Sequence, residues 1–570
     1  MLGTIAHLLY SVDILNVILT ALFIIYALFL IAIHGKCNDD KKKVKIWNLS
    51  CLIPLFVSVI HMLMFTIGGA FPRLLLSYKI IYTPTILIAL FPILSKKKLM
   101  YNIGKVIVVI ACIFCSTLSL NSGKVVNYSN QGLVDAYLSM CGHFEENYIM
   151  SEWKDIDYEA LKKQYLPLVQ EAEQTGDLNK YYDALNHFVC EFHDAHMGIE
   201  FYKDNTYVIN QIKQFNDYGL SLIALDDGTV IAVDVEEGLK IKEGDVVTKW
   251  DGKPIEEAIA NVDLLISDSL PENEKILRVF YLAGFGGETV SVSYINSDNQ
   301  EATVSLEKMK DVEFSRVFAT FNTFLHSEEE YVEDFFDYKM LNDNTGYLLV
   351  RAEETNIIND YVAYITGDNM FAKEQFRAAL RELRHQGMTQ LVIDVRNNSG
   401  GYDEVSTALA SLFTKEEMYA FSLGIKDGDT LKSVDDRYVL ADGEFSDIKV
   451  VLLTNMRCTS AGDGLCLYLS RLENVTVAGL TNPSGCNQET GGYIFMPGGV
   501  AIGYPTGLIL DKDGNPNIDI DVTRESRNPV DIKIPLDKEA ALKIFNGVDY
   551  ELEWAIDYLN QLSIKTATNN

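Results

Sequence analysis

From residue 343 onward the chain alternates short apolar runs with amphipathic ones, and this alternation constrains the fold more than any other feature. Strand-like "TGYLLVRA" (345–352) precedes helix-like "AKEQFRAALRELRHQG" (372–387). Then come "QLVIDVR" (390–396), a helical stretch after 402, "DIKVVLLT" (447–454), helix-like "GDGLCLYLSRL" (462–472) and "NVTVAGL" (474–480). A β-α-β succession of this kind predicts an α/β core with several parallel strands. Ligands in such folds gather beyond the carboxyl ends of the strands. Two of those ends carry chemistry: "DVRNNSGG" after one strand and "NMRCTSAG" after another.

In "NNSGG" (397–401), Gly400 and Gly401 admit positive φ and leave backbone N–H groups bare, as an oxyanion site requires. Two glycines alone serve a plain strand-to-helix turn equally well. Ser460 follows a strand and begins a helix, where the positive end of the helix and the Ala461 N–H would face a developing oxyanion. Taken alone, Thr459 or Ser460 would simply cap that helix. Neither stretch decides between catalysis and packing by itself.

Upstream, residues 128–200 show apolar side chains at three- and four-residue spacing in "LVDAYLSMCGHFEENY", "YEALKKQYLPLVQEAEQ" and "LNKYYDALNHFVCEF", which predicts helices. From 214 to 308 the texture changes to short β-type runs such as "GLSLIAL", "TVIAVDV" and "TVSVSYI", interrupted by helix-like "PIEEAIANVDLLI". The stretch "GLKIKEGDVVTKWDGKPIEEAI" is similar to PDZ domains, which take an extended peptide as an added strand.

The two strand-end motifs together change the reading. "LVIDVRNNSGG", then "VVLLTNMRCTSAGDGLCLYL", then "VTVAGLTNPSG" resembles the C-terminal-processing, or tail-specific, serine peptidase family over roughly residues 130–535. That resemblance implies a crotonase-like, ClpP-type α/β peptidase core with an inserted PDZ-like domain. It implies Ser460 as nucleophile and an oxyanion hole from Gly400 or Gly401 with Ala461. Many members pair the serine with a lysine after the next strand. Here Ser484 stands at that position, and no Lys or Arg occurs from 472 to 511. Serine at its ordinary acidity is a poor nucleophile, so another base must serve.

The tricorn-like branch of the family uses a histidine placed before the PDZ-like domain. "EFHDAHMGIEF" (191–201) offers one there, which maps the base onto His196, with His193 as the rival. An imidazole suits the role because its pKa lies near neutrality. For the group that orients it, the same resemblance suggests Glu525 in "DVTRESRNPVDIKIP", with Asp194 and Asp463 as further candidates. Such a mechanism calls for no metal and no organic cofactor.

Charge is divided unevenly. The chain has 570 residues and a net charge of −31, yet residues 1–125 carry twelve Lys and Arg against three Asp and Glu. Apolar runs near 10–33, 48–70, 75–95 and 103–121 each approach the length of a bilayer-crossing helix. Lysine clusters in "HGKCNDDKKKVK" and "SKKKLMYNIGK" face the cytoplasm by the positive-inside rule. The expectation is a four-helix transmembrane region in a multi-pass cell-membrane protein, in contact with the lipid bilayer, whose body is extracytoplasmic. The acidic body disfavours nucleic acid as a partner.

The expected organisation is a membrane region over 1–122, a helical part over 126–205, a PDZ-like domain over 214–308 and a peptidase core over 340–550. The expected function is a membrane-anchored serine endopeptidase acting on protein or peptide substrates, whose C-terminal end the PDZ-like domain would hold. The alternative is an inactive binding or sensor protein on the same fold.

Overall fold

The computed structural model describes residues 125–202, 207, 215–264, 268–310, 316–327, 334–427 and 430–569. Strands β1 (Val125–Asn127) and β2 (Gly198–Phe201) flank the helices Leu133–Asn147, Tyr158–Thr175 and Leu178–Cys190. Capping explains where these helices start and stop. The Asp157 side chain accepts from the Ala160 N–H, and Gly176, at φ 71°, closes the same helix in the left-handed region.

A small β-domain follows, with β3 (Ser221–Ala224), β4 (Val230–Val233), β5 (Val246–Trp250), β6 (Lys253–Pro254), β7 (Thr289–Ile295) and β8 (Glu301–Glu307). Its sheet order is β3-β4-β5-β7-β8, with β6 paired to β5. The helices Ile255–Ala260 and Pro271–Leu282 lie between β6 and β7. This domain is tied to the rest through Asp226, whose N–H donates to the Leu536 carbonyl at 3.1 Å. The Asp226 carboxylate in turn accepts from the Leu536 N–H at 2.8 Å.

The central sheet comprises β9 (Phe336–Met340), β10 (Thr345–Val350), β11 (Gln390–Asp394), β14 (Lys449–Leu453), β15 (Val475–Gly479) and β18 (Ile532–Lys533). Its order is β18-β15-β14-β11-β10-β9. All neighbours are parallel except β9, which runs antiparallel to β10. The register aligns Asp394 with Leu453 and Leu453 with Ala478. The carboxyl ends of β11, β14 and β15 therefore stop at one edge, and the loops after them meet.

Every residue of β11 is buried, because both faces of the sheet are covered. Leu391 and Ile393 join Leu348, Val350, Val450 and Leu452 in the core beneath the helices Met370–His385, Asp403–Ser411 and Ala461–Ser470. Val392 and Val451, on the opposite face by the two-residue period, pack with Ala540, Ile544, Ala555 and Leu559 of the C-terminal helices. Truncating Leu391 to Ala would open a void at a cost of about 2–5 kcal/mol.

The remaining sheet joins β12 (Met418–Asp427), β13 (Thr430–Val439), β16 (Gln488–Met496) and β17 (Val500–Leu510) to the N-terminal strands, in the order β1-β16-β17-β12-β13, with β2 on β17. The N-terminal helices bury Phe144, Phe188 and Phe192 against Ile494, Val500 and Ile502 of this sheet.

The expected transmembrane region over 1–122 lies outside the described residues. Among the described residues no helix is long and apolar enough to cross a membrane. The fold class is corrected to what the described residues form, an α/β fold in which a four-helix transmembrane region has no part. The described residues supply no helix that would support the expected multi-pass membrane localisation or bilayer contact. Apolar runs give hydropathy only; a span also needs a continuous long apolar helix, and none is present among the described residues.

Candidate active site

The loops after β11 and β14 are stitched together by their own polar groups. The Asn397 N–H donates to Asn455 Oδ1 at 3.0 Å, and the Thr459 N–H donates to the Asn398 carbonyl at 3.1 Å. Asn398 is fully buried. Its Nδ2 donates to the Val350 carbonyl and to Glu353 Oε1, and its Oδ1 accepts from the Gly400 N–H at 2.8 Å. One side chain thus fixes the glycine turn from inside.

That turn needs glycine. Gly400 has φ 80° and Gly401 φ 147°. A Cβ on Gly400 would stand 2.5 Å from the Ser460 Cβ, and one on Gly401 would stand 2.4 Å from the Glu353 carbonyl oxygen. The Glu353 N–H donates to the Gly400 carbonyl, and its carbonyl accepts from the Tyr402 N–H. The Gly400 N–H is taken by Asn398, so of the two expected oxyanion donors in this turn Gly401 is the one whose N–H remains open.

Ser460 stands just before the helix Ala461–Ser470 with φ 58° and ψ −126°, and its side chain makes no capping bond. The simple capping role is thereby removed. A left-handed conformation is costly for a residue with a Cβ and persists only where the surroundings enforce it. Here the Ser460 N–H donates to the Cys486 carbonyl at 3.0 Å, and its carbonyl accepts from the Gly464 N–H at 3.0 Å. A strained strand-to-helix turn of this kind exposes a serine hydroxyl above a sheet. Ala461 opens the helix, so its N–H is among those with no intrahelical acceptor.

The loop supplying the Cys486 carbonyl is held by Asp463, a fully buried residue of the first helical turn. Its Oδ2 accepts from the N–H groups of Gly485 at 2.7 Å and Cys486 at 3.1 Å. Its Oδ1 accepts from Asn528 Nδ2 at 2.7 Å. Burial pushes the Asp463 carboxyl up to about 7. Ser484, where many relatives would carry lysine, donates its hydroxyl to Thr459 Oγ1 and Asp463 Oδ2 and serves as a bracket. Cys458 and Cys486 are free thiols.

His196 lies in the turn between the helix Leu178–Cys190 and β2. The pairing of Gly198 with Gly503 sets this turn against the β16–β17 hairpin. Asp194 shapes it, with Oδ1 accepting from the His196 N–H at 2.9 Å and Oδ2 from the Tyr148 hydroxyl at 2.6 Å. The imidazole Nδ1 is buried without a hydrogen-bond partner. Burial lowers the His196 pKa below its ordinary value, while Asp194 and a polar contact from Gln488 work the other way. His193 is committed elsewhere, its Nδ1 lying 3.0 Å from Glu274 Oε1.

Ser460, His196 and Gly401 line one cavity of about 800 Å³, together with Thr459, Tyr402 and Gln488. Glu525 is exposed and is not among the residues lining it. The carboxylate whose charge acts on the imidazole is Asp194, which also holds the His196 N–H. Asn398, Gln488 and Glu353 went unnoticed in the sequence. For Asn398 the doubled asparagine before the glycines was the available signal; Gln488 and Glu353 had none.

Residues 361–524, which contain Gly400, Gly401, Ser460 and Ala461, match the model of Peptidase family S41. No curated protein sequence matches the chain. Among solved structures, mature CPAF complexed with lactacystin is 12% identical with a TM-score of 0.51, covering 77% of this chain and 99% of that chain. Mature CPAF alone is 12% identical with a TM-score of 0.50, covering 76% of this chain and 96% of that one. The photosystem II D1 C-terminal processing protease superposes more loosely, at 15% identity and a TM-score of 0.34, covering 74% of this chain and 98% of that chain. The matched segment and the shared architecture agree: this chain has the α/β fold of Peptidase family S41.

Proposed function

We propose that the chain is a serine endopeptidase in which Ser460 is the nucleophile and His196 the general base. The observation that supports this reading is the shared cavity, which is lined by a strained serine, an imidazole whose pKa burial lowers and a glycine of the turn after β11. The Ser460 Oγ bonds to a peptide carbonyl carbon as His196 takes its proton. Negative charge developing on the carbonyl oxygen is met by the N–H groups of Gly401 and Ala461. Collapse breaks the C–N bond, and the imidazolium returns the proton to the departing amine. Water then attacks the acyl ester, giving one proton to His196; release of the carboxylic acid restores the serine hydroxyl.

The role of Asp194 is to set the turn that carries the imidazole and to favour its protonated form during turnover. The small β-domain would hold the substrate's C-terminal end. Its cavity of about 450 Å³ is bordered by Leu239, Leu306 and Met309, with Lys240 beside Glu236 and Glu307, so it is the apolar lining that supports this.

Hydrolysis of an unfolded protein substrate by the purified full chain tests the reading. Ser460→Ala abolishes turnover, and His196→Gln lowers kcat by about 10³-fold or more while the fold persists. Unchanged turnover in Ser460→Ala overturns the nucleophile assignment; unchanged turnover in His196→Gln overturns the base.

A further inference from the structure

The wall of the Ser460 cavity is acidic. Asp403, Glu404, Glu489 and Glu354 all border it, and among the described residues no Lys or Arg does. Asp403 and Glu404 open the helix that follows the Gly400–Gly401 turn, so they sit immediately beside the candidate oxyanion donor. Acidic residues in a first helical turn ordinarily gain from the helix dipole and from solvent. These two are largely withdrawn from solvent, and burial pushes the Asp403 carboxyl up to about 6 and the Glu404 carboxyl up to about 7.

Glu404 is ion-paired with Arg437, whereas the hydrogen-bond donors given to Asp403 and Glu489 are neutral. Asp403 Oδ1 accepts from the Tyr468 hydroxyl at 3.0 Å and from Asn487 Nδ2 at 3.2 Å, both neutral donors. Glu489 Oε1 accepts from the Tyr364 hydroxyl at 3.0 Å. The Arg437–Glu404 ion pair is a long one, Nε to Oε1 at 3.8 Å, and Arg437 Nη2 is shared with Asp435 and the Tyr364 carbonyl.

A second, independent feature of the same cavity points to a peptide. Gln488 is 3% exposed, borders the cavity and stands in polar contact with His196, yet among the described residues neither its Oε1 nor its Nε2 reaches hydrogen-bond geometry with a partner. A buried amide left unpaired costs free energy that a ligand's main-chain N–H and C=O would recover.

We infer that this cavity selects substrates bearing a lysine or arginine side chain beside the scissile bond, with the acidic wall receiving the cation and Gln488 pairing with the substrate backbone. The inference rests on the peptidase reading. A carboxylate wall in a partly desolvated pocket attracts an ammonium or guanidinium and repels an acidic side chain, so both signs of the preference follow.

The test uses the full chain with fluorogenic peptides that differ at one position, scanned across the residues flanking the cleaved bond. At one position Lys or Arg gives kcat/KM about tenfold or more above norleucine, and Glu falls below norleucine. In Glu489→Lys, at a half-buried site, the Lys-to-norleucine ratio of the folded variant falls toward one. Asp403→Asn moves the same ratio in the same direction. Where the serine is labelled by a fluorophosphonate without turnover, competition of labelling by the same peptides gives the same comparison. Equal use of Lys, norleucine and Glu peptides, or a preference for Glu, overturns the inference alone. Absence of both cleavage and labelling overturns the peptidase reading and the inference with it.

Discussion

A Cβ placed on Gly400 would lie 2.5 Å from the Cβ of Ser460 and 3.2 Å from its Oγ, so the turn after β11 sits directly on the serine that follows β14. The contact exists because β11 and β14 are parallel neighbours whose carboxyl ends align at Asp394 and Leu453. Gly400→Ala forces that Cβ onto Ser460 and the Thr459 carbonyl, at a φ of 80° that alanine also resists. The variant loses about 100-fold or more in kcat/KM and about 1–3 kcal/mol in stability from backbone strain. Gly514→Ala, with φ 83° but open space around it, bears only the backbone cost and keeps full activity. Urea unfolding and peptide hydrolysis of the two variants check the contrast.

The acid limb of activity reports His196. Burial disfavours the imidazolium, so the folded pKa lies below the ordinary 6.5 and the free base persists into mildly acid solution. The limb of kcat/KM is therefore expected below pH 6.5. The same depression contributes stability above the unfolded pKa that is lost as pH falls through 6.5 and below, because unfolding frees the ring to take a proton. In Asp194→Asn the opposing pull of the carboxylate is gone and the limb shifts further toward acid. A pH–rate profile of both proteins is the measurement.

Glu353 behaves in the opposite sense. It is fully buried, its Oε2 lacks a partner, and burial pushes its carboxyl up to about 8. The folded state holds the proton more tightly than the unfolded one. Its contribution is complete below about pH 4.3, the unfolded value, and is lost as pH rises through about 8. Glu353→Gln carries no charge to bury, so its Tm relative to wild type climbs between pH 5 and pH 9. At pH 9 it exceeds wild type by about 3 °C or more. Calorimetry across that range decides it.

Asp463 is expected to couple stability to the poise of Ser460. Asp463→Ala leaves the N–H groups of Gly485 and Cys486 and the Asn528 amide without their acceptor, at a cost of about 2–4 kcal/mol. The Cys486 carbonyl that holds the Ser460 N–H then loses its support. Fluorophosphonate labelling slows in the folded fraction, whereas a substitution of exposed Glu525 leaves both stability and labelling unchanged.

How far the chain could be read without coordinates follows from the range of the interactions involved. The β-α alternation is a local periodicity, and local signals sufficed for the α/β fold. The two strand-end motifs announced themselves because a glycine pair and a small-residue junction are visible in a few letters. Asn398 and Asp463 act through partners scores of residues away, such as the bond from Asn528 to Asp463, and no local pattern encodes that. Glu525 was suggested by spacing in a linear motif, but the turn at 521–528 holds it in solvent. The apolar runs before residue 122, which suggested membrane spans, lie outside the described residues, and among the described residues no helix is long and apolar enough to cross a membrane.

Mass-spectrometric mapping of a fluorophosphonate adduct on the purified full chain tests the central claim most directly. One adduct per chain, located on Ser460, absent from Ser460→Ala and slowed at least tenfold in His196→Gln, is the predicted result. An adduct on another residue, or an unmodified chain that remains folded under the same treatment, would contradict it.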